Sequence, residues 1–447
     1  MRLAVIPVFV VVSVFAGICV PNNATLAMVV TLGLAGVLLA ARYLPELPLV
    51  ILVAGMSVWA LVPSDLELLV KSRSIPLTLL IGIGYVWLHR VSRGNPPALP
   101  RLVREDILLL AFTIWLAIGI LWSSVPAYGQ RKFLEFVAYT VGGYVMVRLG
   151  YHYFDVRRMA KLLLVAGIGH ALVAINIAFE SGYWSPDLGE IYRTAILYSK
   201  GLNPIAESDG LVLGLVAAVW LWLTGGVQRW TKGVLATAAL VQLWALMGYQ
   251  QRGAALSLLV ATASLVTFLP RGSGWKVASR PKRSLFFALC VLVVLGYALY
   301  RLNPSFDPGY MSEDQNVIAR FSSYQAAWAA FLSRPLVGVG TGGMGIPAGD
   351  EYIVSYPHNR VLEIMAENGL IGTLLLIGIT VSTLGRFVNS LRRGDKRTLQ
   401  VTVFALSGLL QRYVVAMVST HLGAWNVGVW IAIMVGACGR RQDTERE

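Results

Sequence analysis

The sequence predicts an all-α polytopic integral membrane protein, with about 12–14 transmembrane helices and one large, partly helical extracytoplasmic loop. Three observations predict it. Of 447 residues, 56% are hydrophobic and only 13% are charged, about half the charge of a soluble domain. Apolar runs long enough to cross a bilayer recur along the chain. The basic residues, which outnumber the acidic ones by 14, fall in short clusters between those runs. Such clusters follow the positive-inside rule and exclude a continuous nucleic-acid-binding stripe.

A hydrocarbon core of about 30 Å needs about 20 apolar helical residues. Runs near that length lie at about 3–20, 25–41, 46–63, 75–89, 107–122, 132–148, 159–178, 205–225, 233–250, 254–269, 285–301, 369–386, 400–418 and 425–438. Several are short, so two are candidates for half-spans or for one tilted hairpin. The first run mimics a secretory leader, but no small-x-small site precedes Pro21 and a second run starts at Thr25. An uncleaved first span is expected. Cys19, Cys290 and Cys438 all sit in apolar runs, at spacings that give neither a disulfide framework nor a metal site.

Orientation follows from charge. With the N-terminus inside, the inner segments and adjoining helix ends hold 25 Lys and Arg against 8 Asp and Glu; the rest hold 12 against 15. Both termini are therefore expected in the cytoplasm. The chain divides into a helical bundle over 1–301, a large outer loop over 302–368, and C-terminal helices with a cytoplasmic tail over 369–447. An ordered loop of that length is usually functional.

Within the loop, Asn303-Pro304 and Asp307-Pro308-Gly309 are turn signals. A helix is expected from about Val317 to Arg334-Pro335, with Arg320 and Tyr324 four apart on one face. Next comes Gly338-Val339-Gly340-Thr341-Gly342-Gly343, which satisfies G-x-G-x-x-G. No parallel strand precedes it in a soluble βαβ unit, so a tight turn with close backbone approach is expected rather than a nucleotide site. Asn359 is placed to cap a short helix running to Glu367 and ending at Asn368-Gly369. His358 thus stands at a helix start close to the membrane. An imidazole there has the chemistry to take a proton from a sugar hydroxyl near neutral pH. An isolated loop histidine is equally at home as a structural residue, and residue chemistry alone leaves both readings open.

His89, His152, His170 and His421 do not cluster with carboxylates at ligand spacing, and metal-independent chemistry is expected. Outer-side arginines are the second signal, because guanidinium groups bind phosphate as planar bidentate donors. The candidates are Arg193, Arg252 at the start of a span, Arg320 in the long loop, and Arg412 beside Gln411 within a span. Arg131 and Lys132 stand at another outer helix start.

The order Arg320…Trp328…Phe331…Pro335-Leu336-Val337-Gly338-Val339-Gly340, followed by Pro357-His358-Asn359…Leu362…Glu367-Asn368-Gly369-Leu370-Ile371-Gly372, resembles the bacterial O-antigen ligase and O-antigen polymerase superfamily. The motif-bearing match covers roughly 205–386; the first 200 residues resemble the family only in hydropathy. The resemblance implies an inverting glycosyltransferase of the inner membrane with a periplasmic site. Its donor would be O-antigen on undecaprenyl diphosphate and its acceptor the lipid A-core, with no cofactor or metal. His358 would be the catalytic base, and Arg252, Arg320 and Arg193 would bind the diphosphate. Tyr324, Arg412, Asn359 and Glu367 complete the candidate set. Polymerisation of carrier-linked glycan is the alternative within the superfamily. A lipid-linked glycan flippase is disfavoured, since transporters usually show repeats and midplane charges.

Overall fold

A computed structural model describes residues 46–54, 100–181, 204–224, 228–249, 251–270, 315–348, 351–393, 395–418 and 426–444. The apolar runs expected at 3–20, 25–41, 75–89 and 285–301, and all but the start of 46–63, lie outside the described residues.

The described chain is almost wholly helical. It contains α1 (Leu47–Ala54), α2 (Arg104–Gly119), α3 (Pro126–Phe136), α4 (Gly143–Gly150), α5 (Val156–Ser181), α6 (Pro204–Thr224), α7 (Arg229–Tyr249) and α8 (Arg252–Phe268). After these come α9 (Gln315–Ser333), a short antiparallel pair β1 (Ile346–Ala348) and β2 (Glu351–Ile353), α10 (Arg360–Arg393), α11 (Lys396–Val418) and α12 (Gly428–Thr444). Among the described residues, six helices are long and apolar enough to cross a membrane: Arg104–Trp122, Val156–Phe179, Glu207–Thr224, Trp230–Tyr249, Arg360–Arg392 and Lys396–Met417. Gly253–Phe268 and Gly428–Gly439 are shorter apolar helices. The protein is an all-α polytopic membrane protein.

Packing sorts each helix into an inner and an outer face. On α2, the exposed side chains Ile107, Leu110, Ile114 and Ile118 recur at three- and four-residue spacings, while Leu109, Phe112 and Leu116 are buried. An apolar stripe left bare at helical period is a lipid-facing surface. Inside, Trp430 of α12 meets Phe404 of α11 edge-on at 5.7 Å, and Phe404 meets Trp220 of α6 at 4.9 Å. Gly408 lies directly beneath the Trp430 ring, where a larger residue would not fit.

The two ends of the bundle differ. At one end Asp106 accepts hydrogen bonds from Tyr144 at 2.6 Å and from Arg148 at 2.8 Å. Glu105 accepts from Arg386 at 2.8 and 2.9 Å and from Ser382 at 2.6 Å. These bonds tie the start of α2 to the ends of α4 and α10. The acidic pair also complements the positive N-terminus of α2. At the opposite end of α2, the Gly119 carbonyl accepts from the Thr341 amide at 3.1 Å. At 1.5 Å per residue, Gly119 lies about 21 Å along the helix from Glu105.

Candidate active site

At that opposite end, three segments converge: the kinked start of α10, the glycine-rich loop after α9, and the start of α3. Asn359 caps α10 as its position predicts, its Oδ1 accepting from the Val361 and Leu362 amides at 3.1 and 3.2 Å. The helix runs to Asn368 and breaks at Gly369, whose φ is 63°. The remainder of α10, bearing the exposed stripe Leu370, Leu374, Ile377 and Val381, continues as the span. The short helix expected from Asn359 to Glu367 is therefore present, ending one residue later.

The glycine run forms a tight junction. Gly338, Gly340 and Gly342 have φ of 70°, 96° and 78°, the left-handed region open to glycine. The loop fills the break in α10: Val339 and Gly340 amides donate to the Ala366 and Glu367 carbonyls, both at 2.9 Å. The freed Leu370 and Ile371 amides donate to Pro335 and Leu336 carbonyls at 2.8 and 3.3 Å. Thr341 Oγ1 is hydrogen-bonded to Leu116 O at 2.8 Å and to Asn368 Oδ1 at 3.1 Å, tying in α2. Trp115 Nε1 donates to the Asn368 carbonyl at 3.1 Å. The run thus has the close-approach geometry expected of a tight turn.

His358 precedes the capping residue with φ of 51°; among the described residues, it alone of the non-glycines has positive φ. Its ring packs against Tyr356, with centroids 4.4 Å apart. Left-handed backbone at a residue with a Cβ costs about 1–3 kcal/mol and concentrates at functional sites.

The helix that follows His358 carries a buried charge cluster. Arg360, Glu363 and Glu367, spaced three and four apart, share one face of the helix. Lys132 of α3 reaches them with Nζ 2.6 Å from Glu363 Oε1 and 2.7 Å from Glu367 Oε1. Arg360 Nη1 is 2.9 Å from Glu363 Oε2. All four side chains are at most 2% exposed. Two cations meet two carboxylates, so the cluster is neutral as a whole, the condition for keeping ions out of water. The Lys132 ammonium also lies 4.9 Å from the centre of the Tyr128 ring. Burial pushes the Tyr128 phenol well above its ordinary range, so it is protonated at neutral pH.

The structure thus brings His358, Asn359 and Glu367 together on one segment. Arg320 and Tyr324 are both half-buried on the side of α9 that carries buried Ala327, while Ile318, Phe321, Trp328 and Leu332 are exposed on another. The shared face expected for Arg320 and Tyr324 is therefore the protein-facing one, and α9 packs against α10. Arg252 opens α8, following Gln251. Its side chain, Arg193 and His421 lie outside the described residues. Arg412 is committed elsewhere: its Nη1 is 2.6 Å from Asp209 of α6, which Gln411 also contacts at 3.0 Å, and its Nη2 donates to the Val53 carbonyl. His170 pairs with Glu207 at 2.7 Å.

Arg360 and Glu363 were not singled out by sequence reasoning, although their spacing with Glu367 on a helix capped at Asn359 was a local signal. The union of Lys132 with Glu363 and Glu367 had none, because the partners are more than 230 residues apart.

Comparison with known proteins places a family likeness over this part of the chain. Residues 237–377 match the family model described as O-antigen ligase, a segment that includes Arg252, Arg320, His358 and Glu367. The chain is 24% identical to the exopolysaccharide production protein ExoQ of Rhizobium meliloti, over 68% of this chain and 70% of ExoQ. It is 22% identical to the Rickettsia conorii protein named "Putative polysaccharide ligase RC0486", over 73% and 78%. The family match thus spans the His358 segment, and the two relatives extend the likeness to O-antigen and polysaccharide ligases along about two thirds of the chain.

Proposed function

We propose that this polysaccharide ligase transfers a preassembled glycan from a polyprenyl diphosphate carrier to an acceptor hydroxyl, with O-antigen on undecaprenyl diphosphate as donor and lipid A-core as acceptor. The observation that carries the reading is His358, held in left-handed backbone at the mouth of a capped helix whose next turns carry a buried ion cluster. In this reading His358 takes the proton of the acceptor hydroxyl. The freed oxygen attacks the anomeric carbon from the face opposite the diphosphate, the bond to the diphosphate breaks, and the configuration inverts. The diphosphate leaves with the bonding electron pair, and its growing charge falls to Arg252 and Arg320, joined by Arg193. No metal is invoked, because guanidinium groups already supply the positive charge.

The site sits about 21 Å along α2 from the end where Arg148 and Arg386 gather. Under the positive-inside rule this supports a periplasmic site on an inner-membrane protein. A second reading, polymerisation of one carrier-linked glycan onto another, is favoured by the likeness to a protein named for exopolysaccharide production. Purified protein given undecaprenyl-diphosphate-linked glycan, with and without lipid A-core, separates the two. Product on lipid A-core alone is expected. Longer carrier-linked glycan in the absence of lipid A-core supports the second reading. No product in either reaction, with donor shown to be competent, overturns glycan transfer and leaves a transporter.

A further inference from the structure

We infer that Lys132 is a positioning residue for His358: its buried ammonium, gripped by Glu363 and Glu367, sets the orientation of the short helix that carries the histidine at its mouth. The inference rests on the reading of His358 as the base.

The break at Gly369 is the starting point. An unbroken helix would aim His358 through the rigidity of the whole span. With φ of 63° at Gly369, residues 360–368 are uncoupled from the span and take their direction from lateral contacts. Besides the packing of α9 and the Trp115 bond to Asn368, two sets of polar contacts bear on their direction. The glycine loop holds the lower end through backbone bonds at Ala366 and Glu367 and the Thr341 bond to Asn368. Those bonds act at one end. Lys132 adds a constraint nearer His358, bridging Glu363 and Glu367 across one turn at 2.6 and 2.7 Å from a separate helix.

Electrostatics makes the bridge hard to replace. Within the cluster, Arg360 contacts Glu363 at 2.9 Å, and Lys132 joins Glu363 and Glu367 at 2.6 and 2.7 Å. Without it, two buried carboxylates would face one guanidinium. Proton uptake by Glu367, whose carboxyl burial holds above its ordinary range, relieves part of the surplus negative charge; the rest is relieved by moving the helix toward water, which moves His358 with it. Lys132 lies outside the residues that match the family model.

Displacement of a catalytic group by about 1 Å costs about 10²-fold in rate. In the reconstituted transfer reaction, Lys132→Met is expected to lower kcat per folded protein about 10²-fold while leaving the donor KM within about 3-fold. A role confined to stability would lower the yield of folded protein and leave its kcat unchanged. Removing one carboxylate as well restores neutrality, since Arg360 and Glu363 remain paired. Lys132→Met/Glu367→Gln is therefore expected to be at least about 10-fold faster than Lys132→Met, a non-additive result that distant independent sites do not give. Wild-type kcat in Lys132→Met, or a double variant no faster than the single, overturns the inference. Should Lys132→Met not accumulate, the comparison passes to Glu367→Gln, which leaves a surplus cation. A double variant slower than Glu367→Gln overturns it there. His358→Ala, run alongside, separates the two levels. Turnover retained in His358→Ala removes the base itself, whereas its loss beside a fully active Lys132→Met removes only the positioning role.

Discussion

His358 carries two separable properties, a strained backbone and an imidazole. The backbone conformation suits glycine, so His358→Gly is expected to unfold within about 1 kcal/mol of wild type, the gain in φ freedom offsetting the entropy lost on folding. Its transfer activity should nonetheless fall to background. A thermal melt beside a transfer assay checks both, and a strongly destabilised but active glycine variant would contradict the assignment. At this scale the sequence was informative where chemistry is local. The Asn359 cap, the break at Gly369 and the shared face of Arg320 and Tyr324 all follow from spacing along one helix. The partners of Lys132 do not, because an ion pair between distant segments leaves no periodic trace in either.

Among the elements, the glycine loop and the kink of α10 form one joint in which backbone touches backbone. A Cβ at Gly369 would run into the Leu336 carbonyl, and one at Gly340 would come within 2.6 Å of Ser123. Left-handed φ adds about 1–2 kcal/mol for a residue with a side chain. Gly369→Ala is therefore expected to lose more than about 2 kcal/mol of stability, read as a lower melting temperature and reduced accumulation in the membrane. Unchanged accumulation and melting would show that the junction is looser than described. Among the described residues, hydropathy located most helices within a few residues, as for the run 254–269 against Arg252–Phe268. It started the run at 132 too late, since the helix begins at Pro126 and its first turns are polar. Hydropathy registers side chains that prefer lipid, and the start of α3 instead carries an exposed Arg131 beside a Lys132 buried in protein.

At the scale of the whole molecule, the buried charges Arg412, Lys132 and Glu105 among the described residues are all paired. Arg412, read from sequence as a candidate phosphate ligand, is held by Asp209 and Gln411 between α6 and α11. Breaking such a buried pair costs about 3–5 kcal/mol, whereas replacing both partners by apolar residues is often neutral. Asp209→Ala should therefore melt well below wild type in detergent, and Asp209→Leu/Arg412→Met should recover most of the loss. Equal melting of all three proteins would mean that the pair is solvated. The separation of the Arg148 and Arg386 end from the His358 end follows from helix length, and clustered basic residues are its trace in the sequence. The identity of the glycan acceptor has no such pattern. The most direct measurement of the central claim is single-turnover transfer from an undecaprenyl-diphosphate-linked glycan by wild type and His358→Ala at matched amounts of folded protein. If His358 is the base, the alanine variant loses about 10²–10⁴-fold in rate while still binding donor; a wild-type rate in that variant would contradict the assignment.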